Sequence, residues 1–454
     1  MTHTIKLAAT ICIMLLVVSC RKQSTVSDSN IPVPPRGVDP SKIFKQPATA
    51  EEKQLVENLG KVTDVLKELY KNKENLKLVN LSIMAKVYTD ETILVKDLIY
   101  PATSRLKTSK KFETLTQRFG VSLDKFSGNF WAEVNKTNDQ AFKTFLQGLN
   151  HHDMLRANRM NVVDQSEVSI YFPYSDNMEF LPPGDGGGYY EPITTVVTAT
   201  ADADEGWGQQ PYYVNGVFQF YTTVLVNDDY AYDNPTQIVG INGVEPYDPP
   251  SIIMSAFEPT GPIPLPGLPR EIKQVYVGDV RCKKQYDALI SFTGNGGGSE
   301  IRFTRADGFL KVLDGQVQAD MYVTGDKTIS RKDIRKENWV DFSNEWDTDW
   351  ELANSQENLA IYEEDNRNSS TINGSLTTTL KLDSLLGTGA TVAGVIGFTI
   401  TYKSDDAIIK QTNLNRDVFF ILNRTNLEGE MHNNWPVRDK SANVSFTLND
   451  RTYF

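Results

Sequence analysis

Cysteine is scarce in this chain: there are three among 454 residues, Cys12, Cys20 and Cys282. So few cannot build a disulfide framework, and stability is expected to come from packing. Histidine is nearly as rare, and past the N-terminal region only His151, His152 and His432 remain. No His-Glu-x-x-His spacing occurs, which argues against zinc peptidases of the common kinds. The pair His151-His152 stands just past a helical stretch and reads as a cap or surface feature rather than a metal site. A Gly-x-Ser-x-Gly elbow is missing, so the usual esterase signature is absent, although triads assembled in space stay open. The runs Gly184-Asp185-Gly186-Gly187-Gly188 and Gly294-Asn295-Gly296-Gly297-Gly298 lack the Lys-Ser/Thr of a phosphate loop and read as turns. Excess positive charge is lacking too: the net charge is −12, which does not favour nucleic acid or anionic lipid electrostatically. With no repeat of fixed period, solenoids and propellers are disfavoured.

What is present begins at the N-terminus. Basic Lys6 precedes a 12-residue apolar run, Leu7 to Val18, then small Ser19 and Cys20. The run is too short for a spanning helix and has the layout of a secretion signal. Its end, Val17-Val18-Ser19-Cys20, resembles the lipobox of bacterial lipoproteins. That resemblance implies a signal peptide over 1–19, an acylated Cys20 as mature N-terminus, and the membrane as first partner. Arg21 stands where inner-membrane retention signals carry Asp, which points to the outer membrane. Cys12 then leaves with the signal and Cys20 carries lipid, so Cys282 stands alone. Its neighbours Arg281, Lys283 and Lys284 favour a thiolate, but no His lies near, and a structural Cys is expected.

Residues 20–49 are rich in Ser and Pro, with Ile31-Pro32-Val33-Pro34-Pro35 reading as an extended tether. A capping box, Thr49 with Glu52, then opens a helix with Leu55, Leu59, Val62, Leu66 and Leu69 on one face. Further helices are expected at about 75–87, 94–98, 109–119 and 139–149, which defines a helical domain over 50–160. Near residue 165 the period changes to two, with Val168, Ile170 and Phe172 alternating. Four hairpin signals follow, at Asn215-Gly216, Asn242-Gly243, Asp314-Gly315 and Asn373-Gly374. The expected fold class is therefore α+β. A small helical domain precedes mostly antiparallel β regions: a middle one over 161–260, a Pro-rich linker over 261–270, and a C-terminal β-sandwich over 271–454. The 19 uncharged residues from Ser384 to Tyr402 approach spanning length, but their glycines and threonines favour a Gly-rich turn feeding a strand over 395–402.

Two constellations could carry binding chemistry. Acidic loops at Glu345-Trp346-Asp347-Thr348-Asp349, Glu363-Glu364-Asp365-Asn366 and Asp405-Asp406 gather hard oxygen donors of the kind calcium needs. The calcium candidates are Asp347, Asp349, Glu364, Asp365, Asp405 and Asp406. The run from Asn358 to Asn366, with Ile372-Asn373-Gly374 and Leu380-Lys381-Leu382 behind it, resembles the late strands and calcium loop of calcium-and-lipid-binding sandwich domains. That resemblance implies calcium as ligand. The middle region carries many aromatics, among them Trp207, Tyr212 and Tyr213, which beside Asn and Asp can stack a sugar ring or anchor a partner. The expectation is a non-catalytic, lipid-anchored envelope protein that binds a protein or glycan, with calcium as possible ligand and no nucleic acid. The alternative is an envelope hydrolase using paired carboxylates, one of them buried with a raised pKa.

Overall fold

The computed structural model describes residues 37–88, 90–150, 168–177, 193–241, 271–294, 296–313, 316–352, 356–363, 373–381, 393–401, 407–425 and 429–453. Within them the fold is α+β, with helices mostly early and antiparallel strands mostly late. His151 and His152, the expected linker over 261–270 and the Asn242-Gly243 signal lie outside the described residues.

The first long helix, α1 (Ala50–Tyr70), starts where its capping box predicts. Thr49 Oγ1 accepts from Glu52 N at 3.1 Å, and Glu52 Oε2 accepts from Thr49 N at 3.0 Å. Five more helices follow: α2 (Lys73–Met84), α3 (Val95–Ile99), α4 (Lys110–Phe119), α5 (Leu123–Lys136) and α6 (Gln140–Gly148). Of these α5 was not anticipated. It is capped by the Ser122 side chain and buries Phe126, Phe130 and Val134 at four-residue spacing.

These helices cover a six-stranded sheet. In spatial order it runs β2 (Thr92–Leu94), β3 (Val168–Tyr171), β8 (Thr236–Ile241), β4 (Thr195–Thr198), β6 (Glu205–Val214) and β7 (Val217–Asn227). Only β4 and β8 are parallel. Helices α1 and α2 are fixed to this sheet by buried and part-buried polar contacts. Thr198 Oγ1 donates to Thr63 Oγ1 at 2.7 Å, Tyr70 O–H donates to Gln237 Oε1, and Gln237 Nε2 donates to Asn80 Oδ1 at 2.8 Å. Leu59, Val62 and Leu66 of α1 share one core with Ile170, Val197 and Val239 of the strands. Residue 160 therefore does not separate two cores: a sheet with an apolar face needs a helix layer, and α1 supplies it.

A short strand pairs the segment before α1 with this body. Strand β1 (Ile43–Lys45) pairs with β5 (Asp202–Ala203), and a short helix, α7 (Asp228–Asp233), follows β7.

A second core lies between two antiparallel sheets, as expected of the C-terminal sandwich. One is ordered β11 (Gln316–Ile329), β10 (Ser299–Leu313), β13 (Gln356–Glu363) and β16 (Ala407–Asn415). The other is ordered β12 (Val340–Asp347), β9 (Ile272–Cys282), β19 (Val444–Tyr453), β18 (Trp435–Arg438) and β17 (Met431–His432). Phe303 of the first sheet meets Phe342 and Phe446 of the second at ring-centre distances of 5.6 and 5.5 Å. Helix α9 (Arg416–Arg424) closes one end, placing Phe419 and Phe420 5.2 and 5.6 Å from Trp350.

The segment after β9 clasps the two cores together. Leu289, Ile290 and Phe292 belong to the first core, and Ala203 and Ile290 exchange both backbone bonds at 2.9 Å. From α8 (Arg331–Arg335), Arg331 and Arg335 each place Nη1 3.0 Å from the Asp228 carboxylate.

Asn215 and Gly216 have φ of 50° and 78° and join β6 to β7 in the expected tight turn. Asn373 and Gly374, by contrast, are strand: β14 (Asn373–Lys381) pairs along its length with β15 (Ala393–Thr401), starting with Asn373 opposite Thr401. An Asn-Gly pair turns a hairpin when apolar strands flank both sides. Here the residues before Ile372 are polar, so the signal misleads. Strand β15 takes up the described part of the uncharged stretch, residues 393–401, and no helix among the described residues is long and apolar enough to cross a membrane.

Candidate functional site

Strand β6 carries all three aromatics singled out from sequence, but the fold does not gather them. Trp207 lies near the base of the strand, whereas Tyr212 and Tyr213 lie near its far end, on either side of a bulge. Tyr212 stacks on Phe220 at 5.0 Å, and Tyr213 meets Phe218 at 5.9 Å.

Of the three, Trp207 lines a cleft among the described residues, whose volume is about 270 Å³. One wall is Thr198 and Thr200, at and just after the end of β4. The facing wall is Val38, Ile43 and Gln46 from the strap that precedes α1. Buried Glu205 holds that strap: its Oε1 accepts from Asp39 N at 2.5 Å and its Oε2 pairs with Lys42 Nζ at 3.1 Å. Lys42 O in turn accepts from Asp204 N at 2.9 Å. Gly206 matters for shape, since a Cβ there would come 2.6 Å from Ile290 Cδ1. The result is an aromatic wall facing an amide and hydroxyls, with the one carboxylate of the lining committed to the strap. Such a cleft suits a small, uncharged, hydroxyl-bearing ligand.

The acidic constellation resolves differently. Asp347 ends β12 almost fully buried and pairs through Oδ2 with Arg305 Nη1 at 2.6 Å. The same Nη1 lies 3.1 Å from buried Glu357 Oε1. Asp347 Oδ1 accepts from Asp349 N at 2.8 Å, and Asp349 Oδ1 accepts from Lys273 N at 3.2 Å. Both residues thus serve to close the end of β12. Glu364, Asp365, Asp405 and Asp406 lie outside the described residues.

A different carboxylate group forms where Glu363, the first residue of one acidic loop, meets Asp287 and Glu300, which sequence reading missed. Asp287, Glu300 and Glu363 each bring an oxygen within 4.8 Å of the others. Ile301 pairs with Glu363 across β10 and β13, which brings Glu300 near that strand end, and the loop after β9 adds Asp287. Asp287 and Glu363 are buried, and Arg331 Nη2 donates to Asp287 O at 2.6 Å. Three hard oxygens at this spacing are of the kind that coordinates calcium or magnesium. Nothing in the local sequence around any one of them signals the other two.

Perturbed carboxyls mark structural positions. Burial pushes Glu91 up to about 7, against the bonds it accepts from Tyr174 N, Ser175 Oγ and Asp176 N. Burial also raises Asp202, which accepts from Phe292 N at 2.8 Å and Thr293 N at 3.2 Å and so helps clasp the two cores. Asp204 and Glu345 are raised by burial as well. None of these four lines the Trp207 cleft or a second cleft of about 370 Å³ beside α1 and α6. Burial pushes the Cys282 thiol up to about 11 despite its cationic neighbours, and its Sγ donates to Lys284 O at 3.1 Å. That is a structural cysteine, not a nucleophile.

Compared with protein-family models, with curated proteins and with solved structures, the chain matches none.

Proposed function

We propose that this protein is a lipid-anchored envelope protein that binds a glycan in the cleft beside Trp207. The observation that carries the glycan reading is the pairing of a half-buried indole with Gln46, Thr198 and Thr200 around about 270 Å³, a space suited to one sugar-sized ring. The anchor rests on the lipobox, and the strap over 38–46, which the sequence reads as part of the tether over 20–49, forms one wall of the cleft. The hydrolase reading calls for a cleft with two carboxyls, one of them raised; the raised carboxyls of the described residues lie outside both clefts.

Calcium remains a second reading, supported by the convergence of Asp287, Glu300 and Glu363. The test of the main reading is a screen of envelope oligosaccharides by calorimetric titration. Saturable binding to the wild type, weakened about tenfold or more in Trp207→Ala by loss of stacking, is expected. Binding unaffected by that change would move the site elsewhere. For the anchor, the mass of the N-terminal peptide should show acylated Cys20, and an unmodified Cys20 would remove it.

A further inference from the structure

The β6–β7 hairpin outgrows its sheet. Strand β4 pairs only with Gly208 and Gln209, so from Gln210 to Thr222 the hairpin pairs only with itself. Its tip is apolar and exposed: Tyr212 49 %, Val214 44 %, Val217 61 % and Phe220 50 %. Across the whole hairpin, Gly206 to Val226, no residue is charged, in a chain that is 23 % charged. A solvated hairpin has no need of this composition, and four large apolar groups around one turn form a patch of the kind that contacts something else.

We infer that this tip seats in the lipid surface, giving the protein a second membrane contact beside the acyl chain. Aromatic rings flanked by aliphatic side chains and free of charge suit the boundary between headgroups and acyl chains. Stacking of a sugar would use Tyr212 or Phe220 but leaves Val214 and Val217 without a role. The geometry of attachment allows the contact, and in this respect the inference rests on the anchor reading. Arg21 to Gly37 extend to at most about 60 Å, and the strap after them is held to Glu205 at the base of β6. From there the tip lies about 30 Å along the strand. Two lysines of α1 lie against the outer part of the hairpin, Lys67 Nζ 5.2 Å from the Tyr221 ring centre and Lys71 Nζ 5.1 Å from that of Phe218, and each is paired within its own helix, Lys67 with Asp64 at 3.0 Å and Lys71 with Glu68 at 2.6 Å. Seating is accordingly hydrophobic rather than electrostatic.

The test uses the mature chain carrying Cys20→Ala, which has no acyl group, and vesicles of phosphatidylcholine alone or mixed with phosphatidylglycerol. Co-sedimentation with both kinds, insensitive to added salt, is expected. The pair Val217→Ser and Phe220→Ser should lower the bound fraction about tenfold by removing exposed apolar area, with the melting temperature unchanged. In a Phe220→Trp chain, the added emission should shift to the blue on vesicle addition. No association of the Cys20→Ala chain with vesicles, association unaffected by the double substitution, or association confined to anionic vesicles and lost in salt would each overturn the inference. So would a tip that captures oligosaccharides instead of vesicles. An unmodified Cys20 in the native protein would defeat the anchor reading alone, because the vesicle result does not depend on acylation.

Discussion

The two cores are closed by different means. In the first, a helix lies on a sheet, and hydrogen bonds between buried uncharged groups, Tyr70 to Gln237 to Asn80 and Thr198 to Thr63, set the register between layers. In the second, sheet faces sheet through Phe303, Phe342 and Phe446, and its buried polar groups include a charged set, Arg305 with Asp347 and Glu357, paired at a strand end. The second core spends Asp347 and Asp349 on its own closure, whereas the first leaves a half-open cleft and a projecting hairpin that its packing does not require.

The largest expected effect tests whether the second core depends on its ion pairs. Arg305→Met leaves Asp347 and Glu357 buried without their shared cation and should destabilise the protein by about 3–5 kcal/mol, measured by denaturant unfolding. A loss under about 1 kcal/mol would mean that the aromatic packing alone holds this end.

Next is Glu91, which sits against the first core. Its folded pKa of about 7 exceeds the ordinary 4.5, so the folded state binds the proton more tightly. The stability it contributes is therefore full below pH 4.5 and is lost as pH rises through about 7. Glu91→Gln should remove that dependence, and the stability difference between variant and wild type should change by about 3 kcal/mol across the window. Parallel pH profiles would show that the carboxyl is not held in this state.

The smallest effect concerns the entry to α1. Thr49→Ala removes one half of the capping box and should cost about 1 kcal/mol, read as a small fall in melting temperature.

How much was legible follows from the range of each signal. The capping box of α1 and the Asn215-Gly216 turn are local and were readable directly. Helix α5 was equally readable in Ser122, Phe126, Phe130 and Val134, but Gly128 interrupts its pattern. Asn373-Gly374 misled because turn propensity acts only where strands flank both sides. The shared core of helices and middle strands was not legible, since periodicity says which face is buried and not against what. Asp287, Glu300 and Glu363 are far apart in sequence and meet only through strand register. For Trp207 composition drew attention to its strand, while Gln46 and Thr200 came beside it in one cleft only through the fold, in which β1 pairs with β5.

Hydrogen exchange, followed with and without a saturating envelope oligosaccharide, tests most directly whether binding belongs to the first core. Protection confined to the strap over 38–46 and to residues 198–207 is the predicted result. Protection at 345–363 in the second core, with the strap unchanged, would contradict it.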